Sequence, residues 1–405
     1  MLQLGNDTRI TYLIFAGVVL VIIVLFAFAI HFTMAFNIVG NDILVFYLAA
    51  KSSFIASQGP YLSENAVLSQ LLSYGKLALP GEDFLTFSYP PFALLPLLPF
   101  VFLTFDWVQA IWLSILIISL ILVMIACFPD SPRWILMSVF LFYPFAFGLL
   151  MGNFVIPIAI ILFANIKLIF FSTENHSKWI EIILASLLAW ATCKPQFSWL
   201  FISFILLAAI QQKRFIFIKS FVGALFIFLA ASFFILPNWI EVWIDQIKFY
   251  QLSNPSDLQL ARILNTFLPE NVTKILMPPL VIVGVFWVGN SFYKWWKNQF
   301  DLFNVFIVIG WMSHLLYPGG VDYQQIVFLI PFILWVNLRP APNPFLSSIL
   351  WVSAILISWA EFTLFKVTGF QFMFTGWLFA VYLVWAICVL IQQNKKFEHV
   401  IRQPS

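Results

Sequence analysis

Long apolar stretches dominate the chain, broken at intervals by short polar segments. They run to roughly 17–22 residues, the length a helix needs to cross a hydrocarbon core about 30 Å thick. The pattern predicts helices over approximately 11–33, 107–127, 133–150, 153–171, 179–193, 196–210, 215–236, 273–290, 302–317, 323–338, 345–360 and 370–391. Barrel strands would give weaker, alternating segments, and in lipid the backbone polar groups must pair inside each segment. The expected fold is therefore an all-α integral membrane bundle of about 12 transmembrane helices. It forms one domain over residues 1–405, with the bilayer as its first partner.

Two long polar interruptions stand out, at 34–106 and 237–272. Within the first, Phe46, Tyr47, Ala49, Ala50, Phe54 and Ile55 recur near helical spacing, which predicts short interfacial helices. Gly59-Pro60 ends that stretch and Pro80-Gly81 marks another turn. The apolar piece 88–104 carries Pro90, Pro91, Pro96 and Pro99, which remove backbone donors. It is read as a re-entrant or interfacial element on the outer face rather than a crossing.

Charge sets the expected orientation. With the N-terminus in the cytoplasm, 13 of the 20 Lys and Arg residues fall on the cytoplasmic side, as the positive-inside rule requires. Both termini are then cytoplasmic and both long loops lie outside. Eleven of the 17 acids fall outside, so most candidate acid–base groups face that way. Only 9% of residues are charged, the net charge is +3, and no basic run is long enough to engage nucleic acid. Cys127, Cys193 and Cys388 have no metal-like spacing and read as packing residues. The first apolar run, Thr11 to about Phe32, is too long for a signal-peptide core and reads as a retained anchor.

Asp42 is the acid that stands out. It lies about one turn beyond the first apolar run, ahead of the long outer loop. A carboxylate at the membrane face needs water, a partner or a function. Other polar residues also fall at outer helix ends: Asn153 after Gly152, Lys194 before Pro195, Arg262 in the second loop, and Asp322-Tyr323 before an apolar run. The expectation is that a bundle gathers them around one cavity open to the outer leaflet.

These residues carry a resemblance. Asp42-Ile43-Leu44-Val45-Phe46-Tyr47-Leu48-Ala49-Ala50 is similar to the D-x-x-x-(F/Y)-Y-x-A-A opening of integral-membrane mannosyltransferases. Gly59-Pro60-Tyr61 resembles their G-x-P-Y, and Phe87-Ser88-Tyr89-Pro90-Pro91 their F-x-Y-P-P. Gly152-Asn153 resembles a G-Q-x-N turn without its Gln. Lys194-Pro195 resembles their K-P turn, and Asp322-Tyr323 their late (H/D)-Y element. Over roughly residues 1–340 the chain resembles glycosyltransferase family 87 of the GT-C superfamily, polyprenyl-phosphate-mannose-dependent α-mannosyltransferases.

The resemblance implies an inverting sugar transfer on the outer face of a bacterial plasma membrane. The donor would be a polyprenyl-phosphate sugar, by default mannose. The acceptor would be a hydroxyl on a glycolipid, glycan or protein, with Asp42 as general base. Inverting displacement needs a base on that hydroxyl, in line with the leaving phosphate. A cation beside the phosphate stabilises the growing charge, which nominates Lys194 and Arg262. Asp322, Tyr89, Asn153 and Tyr323 are the candidate substrate contacts. No D-x-D motif or Gly-rich phosphate loop is present, so neither a cofactor nor a metal is required by this reading. Two other readings account for the same helices, a secondary transporter and a non-catalytic cell-envelope protein. Transporters, however, tend to place charge at mid-membrane.

Overall fold

The computed structural model describes residues 6–34, 37–79, 82–172, 177–253, 258–316, 322–338, 344–368 and 385. In chain order the helices are α1 (Asn6–Met34), α2 (Asn41–Phe54), α3 (Ser63–Tyr74), the 3-10 helix η1 (Pro91–Phe100), α4 (Phe105–Cys127), α5 (Arg133–Ser138) and η2 (Val139–Leu141). Then follow α6 (Tyr143–Met151), α7 (Val155–Phe170), α8 (Lys178–Trp190), η3 (Ala191–Cys193), α9 (Pro195–Gln211), α10 (Phe215–Ile235), α11 (Trp239–Ser253) and α12 (Gln259–Phe267). The last are α13 (Glu270–Trp296), α14 (Leu302–Leu315), η4 (Asp322–Gln325), α15 (Ile326–Leu338) and α16 (Pro344–Thr368).

Among the described residues five helices are long and apolar enough to cross a bilayer: Ile14–Met34, Phe105–Cys127, Phe215–Ile235, Glu270–Trp296 and Phe345–Leu364. A sixth is possible if α5–η2 and α6, bent by 62°, count together. The sequence pattern reads 133–150 as one span; Pro144 explains the break. Its ring and missing N–H are incompatible with continuing the preceding turn. The 16 residues of α7 extend roughly 24 Å at about 1.5 Å each, short of a 30 Å core. The ten residues of η1 reach roughly 20 Å, also short of a 30 Å core. The expected span at 370–391 and the turn at Pro80-Gly81 lie outside the described residues.

The chain divides into two compact units. The first comprises residues 1–122, 149–153 and 231–253. At its centre is α2, whose residues Ile43 to Ala50 are all buried. Leu44, Tyr47 and Leu48 pack with Val108 of α4, and the Tyr47 hydroxyl donates to the Leu103 carbonyl (2.8 Å). The short helix expected in this loop is present, and it is buried within its unit. Its apolar residues face protein on nearly every side, which hydropathy cannot distinguish from facing lipid.

The second unit comprises residues 123–148, 154–230 and 254–405. Here α14 packs against α13 and α15, and α7 packs against α8 and α9. Phe204 of α9 meets both Trp295 of α13 (4.8 Å) and Phe306 of α14 (5.6 Å) edge-on. Such aromatic pairs prefer offset or edge-to-face geometry. Cys127 and Cys193 are free, buried thiols.

Candidate functional site

Asp42 occupies the first turn of α2, just after the N-cap Gly40. A carboxylate there is stabilised by the helix's exposed N–H groups. Its Oδ2 accepts a hydrogen bond from Asn153 Nδ2 at 2.8 Å. Asn153 is fully buried and Asp42 half-buried, so one end of the pair reaches the surface while the other is locked in protein.

Two glycines allow this approach. A Cβ on Gly40 would fall 3.1 Å from the carbonyl oxygens of Leu150 and Met151. Gly152 has φ +65°, and a Cβ there would sit 2.7 Å from Ile43 Cβ. The left-handed turn is costly for any residue with a side chain. It lets α6 stop at Met151 and presents Asn153 to α2 one residue later.

One face of α4 fixes both partners. Gln109 Oε1 accepts from the backbone N–H of Val39 (2.9 Å) and of Gly40 (3.1 Å), while its Nε2 donates to the Asn37 carbonyl (3.2 Å). Three residues on, Trp112 Nε1 donates to the Gly152 carbonyl (2.9 Å). Residues three apart share a helix face, so a single rung holds the turn before Asp42 and the turn before Asn153. Sequence reasoning missed both. The available signal was Gln109 itself, a buried amide in an apolar helix, since such groups require partners.

Further acids gather at the C-terminal end of α3. The Tyr74 hydroxyl is pushed up to about 12, first by burial and then by the charges of Asp83, Glu82 and Asp42. Glu82 pairs with Lys76 (2.9 Å) and accepts from the Leu79 N–H, and both contacts hold its carboxyl below the usual range. Asp83 shifts the other way, raised by burial and opposed by the Leu85 N–H it accepts (3.0 Å).

Tyr89 lies in extended chain ahead of η1. Its carbonyl accepts from the Tyr61 hydroxyl (2.8 Å), and its ring meets Phe46 edge-on (5.5 Å) and tilts against Phe87 (5.7 Å). Trp243 Nε1 donates to the Ser88 carbonyl (3.0 Å), and Ser232 Oγ accepts from the Phe92 N–H (3.1 Å). The Phe87-to-Pro91 element is therefore held in place between α2 and α11.

The other expected residues belong to the second unit. Lys194 is buried at the N-cap of α9, and its Nζ lies 5.1 Å from the Tyr323 ring centroid. Tyr323 itself stacks on Phe147 (5.9 Å). Asp322 opens η4, and its side chain lies outside the described atoms. Arg262 is half-buried on α12. The structure thus brings Asp42 to Asn153 within one unit and Lys194 to Tyr323 within the other. Among the described residues no three His, Cys, Asp or Glu side chains are grouped as a metal would need. No family model, no curated protein and no solved structure matches the chain.

Proposed function

We propose that the protein is an inverting, polyprenyl-phosphate-dependent glycosyltransferase with Asp42 as general base. The acceptor hydroxyl gives its proton to the Asp42 carboxylate as its oxygen attacks the anomeric carbon. The bond from that carbon to the phosphate oxygen breaks, and polyprenyl phosphate leaves with the electron pair. A cation beside the departing phosphate would stabilise its growing charge, a role for which the motif resemblance nominates Lys194 and the charge of the second outer loop nominates Arg262. In this reading about 12 helices span the membrane. The termini face the cytoplasm, and Asp42 works on the outer side of a bacterial plasma membrane. Mannose is the sugar that the motif resemblance favours.

The observation that carries the reading is the 2.8 Å hydrogen bond from buried Asn153 to Asp42. A base must be held in one orientation, and a solvated surface acid is not. Here a left-handed glycine, a buried amide and two α4 side chains are spent on orienting one carboxylate. The resemblance motifs Asp42-to-Ala50 and Gly152-Asn153, far apart in sequence, supply the two halves of that contact.

The deciding experiment is transfer of radiolabelled mannose from a polyprenyl-phosphate donor by the protein in lipid nanodiscs. Asp42→Asn keeps the shape and removes the base, so turnover falls about 10²–10⁴-fold. Unchanged turnover in that variant ends the assignment.

A further inference from the structure

The turn between α9 and α10, Gln211-Gln212-Lys213-Arg214, ties down the ends of three other helices of the second unit. Gln211 Nε2 donates to the carbonyl of Trp296, the last residue of α13 (3.2 Å). Gln212 Nε2 donates to the Ile169 carbonyl in the last turn of α7 (2.8 Å). The Arg214 guanidinium donates to Glu181 Oε1 in the first turn of α8 (3.0 Å). The last carbonyls of a helix have no partner within it, so two of these bonds fill places the backbone leaves open.

Positive charge collects at this corner. Lys213 follows Gln211 by two positions, Lys297 follows Trp296 directly, and Lys294 precedes Lys297 by one turn. The Gln211–Trp296 bond therefore brings the lysines of two helix ends together. Lys219 stands one turn into α10, and Lys178 opens α8 beside the Arg214–Glu181 pair. All five lysines are exposed. Among the described residues none of them forms an ion pair with a carboxylate. The nearest acids in sequence are engaged: Glu181 by Arg214, and Asp301 by the Phe303 N–H that it accepts at the start of α14 (2.8 Å).

The same corner lies at a membrane boundary. Phe215–Ile235 and Glu270–Trp296 are both long and apolar enough to cross a bilayer, and these lysines stand at the start of the first and the end of the second. Ile210, Phe215, Ile216 and Tyr293 are exposed beside them, and Lys297 Nζ lies 5.9 Å from the Tyr293 ring centroid. Aromatic rings at such a boundary sit at headgroup level, and lysines there attract anionic lipid.

The geometry points to this corner as a binding site for an anionic phospholipid. Its phosphate sits between Lys213 and the Lys294–Lys297 pair, and its acyl chains lie along Phe215, Ile216 and Tyr293. A lipid covers both kinds of surface at once. A free phosphate would use the cations and leave the apolar residues bare. Because the lysines come from α10's leading turn and α13's end, the bound lipid fastens the two helices that Gln211 already joins. The site is independent of the glycosyltransferase reading, and it stands whether or not Asp42 is a base.

The test titrates the purified full chain in detergent with phosphatidylglycerol and counts bound lipid by native mass spectrometry. Binding is expected to saturate. It should weaken about fivefold for each lysine removed, so roughly 30-fold for Lys213→Gln combined with Lys297→Gln. Arg at the same two positions keeps the charge and should keep the affinity. Lys274→Gln, roughly 30 Å along α13 from Lys294, should change nothing. Should the double variant fail to fold, the single variants Lys213→Gln and Lys297→Gln, each about fivefold weaker, carry the test. Equal binding of zwitterionic phosphatidylethanolamine, or unchanged affinity in the lysine variants, overturns the inference. So does inorganic phosphate, or a polyglutamate peptide standing in for an acidic protein partner, bound as tightly as phosphatidylglycerol.

Discussion

Asn153 reaches Asp42 across 111 positions of sequence, with a 2.8 Å hydrogen bond from its amide to the Asp42 carboxylate. A bond to a charged group is worth about 1.5–3 kcal/mol. Asn153→Ala should therefore lower kcat roughly 10- to 100-fold, with KM for the donor nearly unchanged. Steady-state kinetics in nanodiscs check this. A loss confined to KM, or none, would mean that Asn153 does not position the base.

Gln109 satisfies two backbone N–H groups with one oxygen. Gln109→Leu leaves both without that partner in a buried place, at about 1–3 kcal/mol for each donor. The variant should melt lower and lose transfer in parallel, while Trp112→Phe, which orphans one carbonyl, should show a smaller drop of the same kind. Thermal midpoints read beside activity test the ordering; a Gln109→Leu protein as stable as wild type contradicts the role of the α4 rung.

Gly152 has no room for a methyl group and the wrong backbone region for one. Gly152→Ala should cost about 1–2 kcal/mol from backbone conformation, with a further overpacking penalty of about 1–3 kcal/mol against Ile43. Adding Ile43→Gly, which removes the Cβ that the new methyl would meet, should recover the packing part and leave the backbone part. A double-mutant cycle on stability resolves the two, and strict additivity would argue against the contact.

Lys194 and Tyr323 form a cation–π contact at 5.1 Å in a buried setting. Such contacts are worth about 2 kcal/mol when desolvated. Tyr323→Phe keeps the ring face and should stay close to wild type, whereas Tyr323→Leu should lose about 30-fold in kcat/KM for the donor. If Phe and Leu behave alike, the ring face is irrelevant and the hydroxyl carries whatever role Tyr323 has.

Asp83 gives a pH signature. Its carboxyl is raised by burial in the folded chain, so the folded state holds the proton more tightly than the unfolded state does. The resulting stability is complete at pH below the ordinary carboxylate range and is lost as pH rises through the raised value. The residue is nonetheless exposed to water at the surface, although many protein atoms lie around it, so the energy is screened and small. Asp83→Asn, which can still accept from the Leu85 N–H, should gain on wild type as pH rises above the ordinary carboxylate range. A relative loss over that window would reverse the assigned sign.

Much of the helix plan was legible from apolar run length. Helices occupy all the expected segments except 370–391, which lies outside the described residues. Asp42, Gly152-Asn153 and Lys194-Pro195 fall at helix boundaries, because glycine, proline and polar caps interrupt apolar runs in ways a sequence displays. Burial was not legible. In a chain where 62% of residues are hydrophobic, core and lipid faces look alike, so the burial of α2 and the exposed Leu68, Leu71 and Leu72 of α3 went unmarked. The paired duty of Gln109 and Trp112 depends on contacts between distant segments. No local pattern encodes those.

The rung on α4 has a consequence for how this chain can vary. Each residue added to a helix turns everything beyond it by about 100°. A single insertion between Phe105 and Gln109 would swing the amide and the indole away together, freeing residues 37–40 and 152 at one stroke. Length at the start of that helix is therefore constrained far more tightly than its composition, and a one-residue slip there would be more damaging than several apolar exchanges further along it.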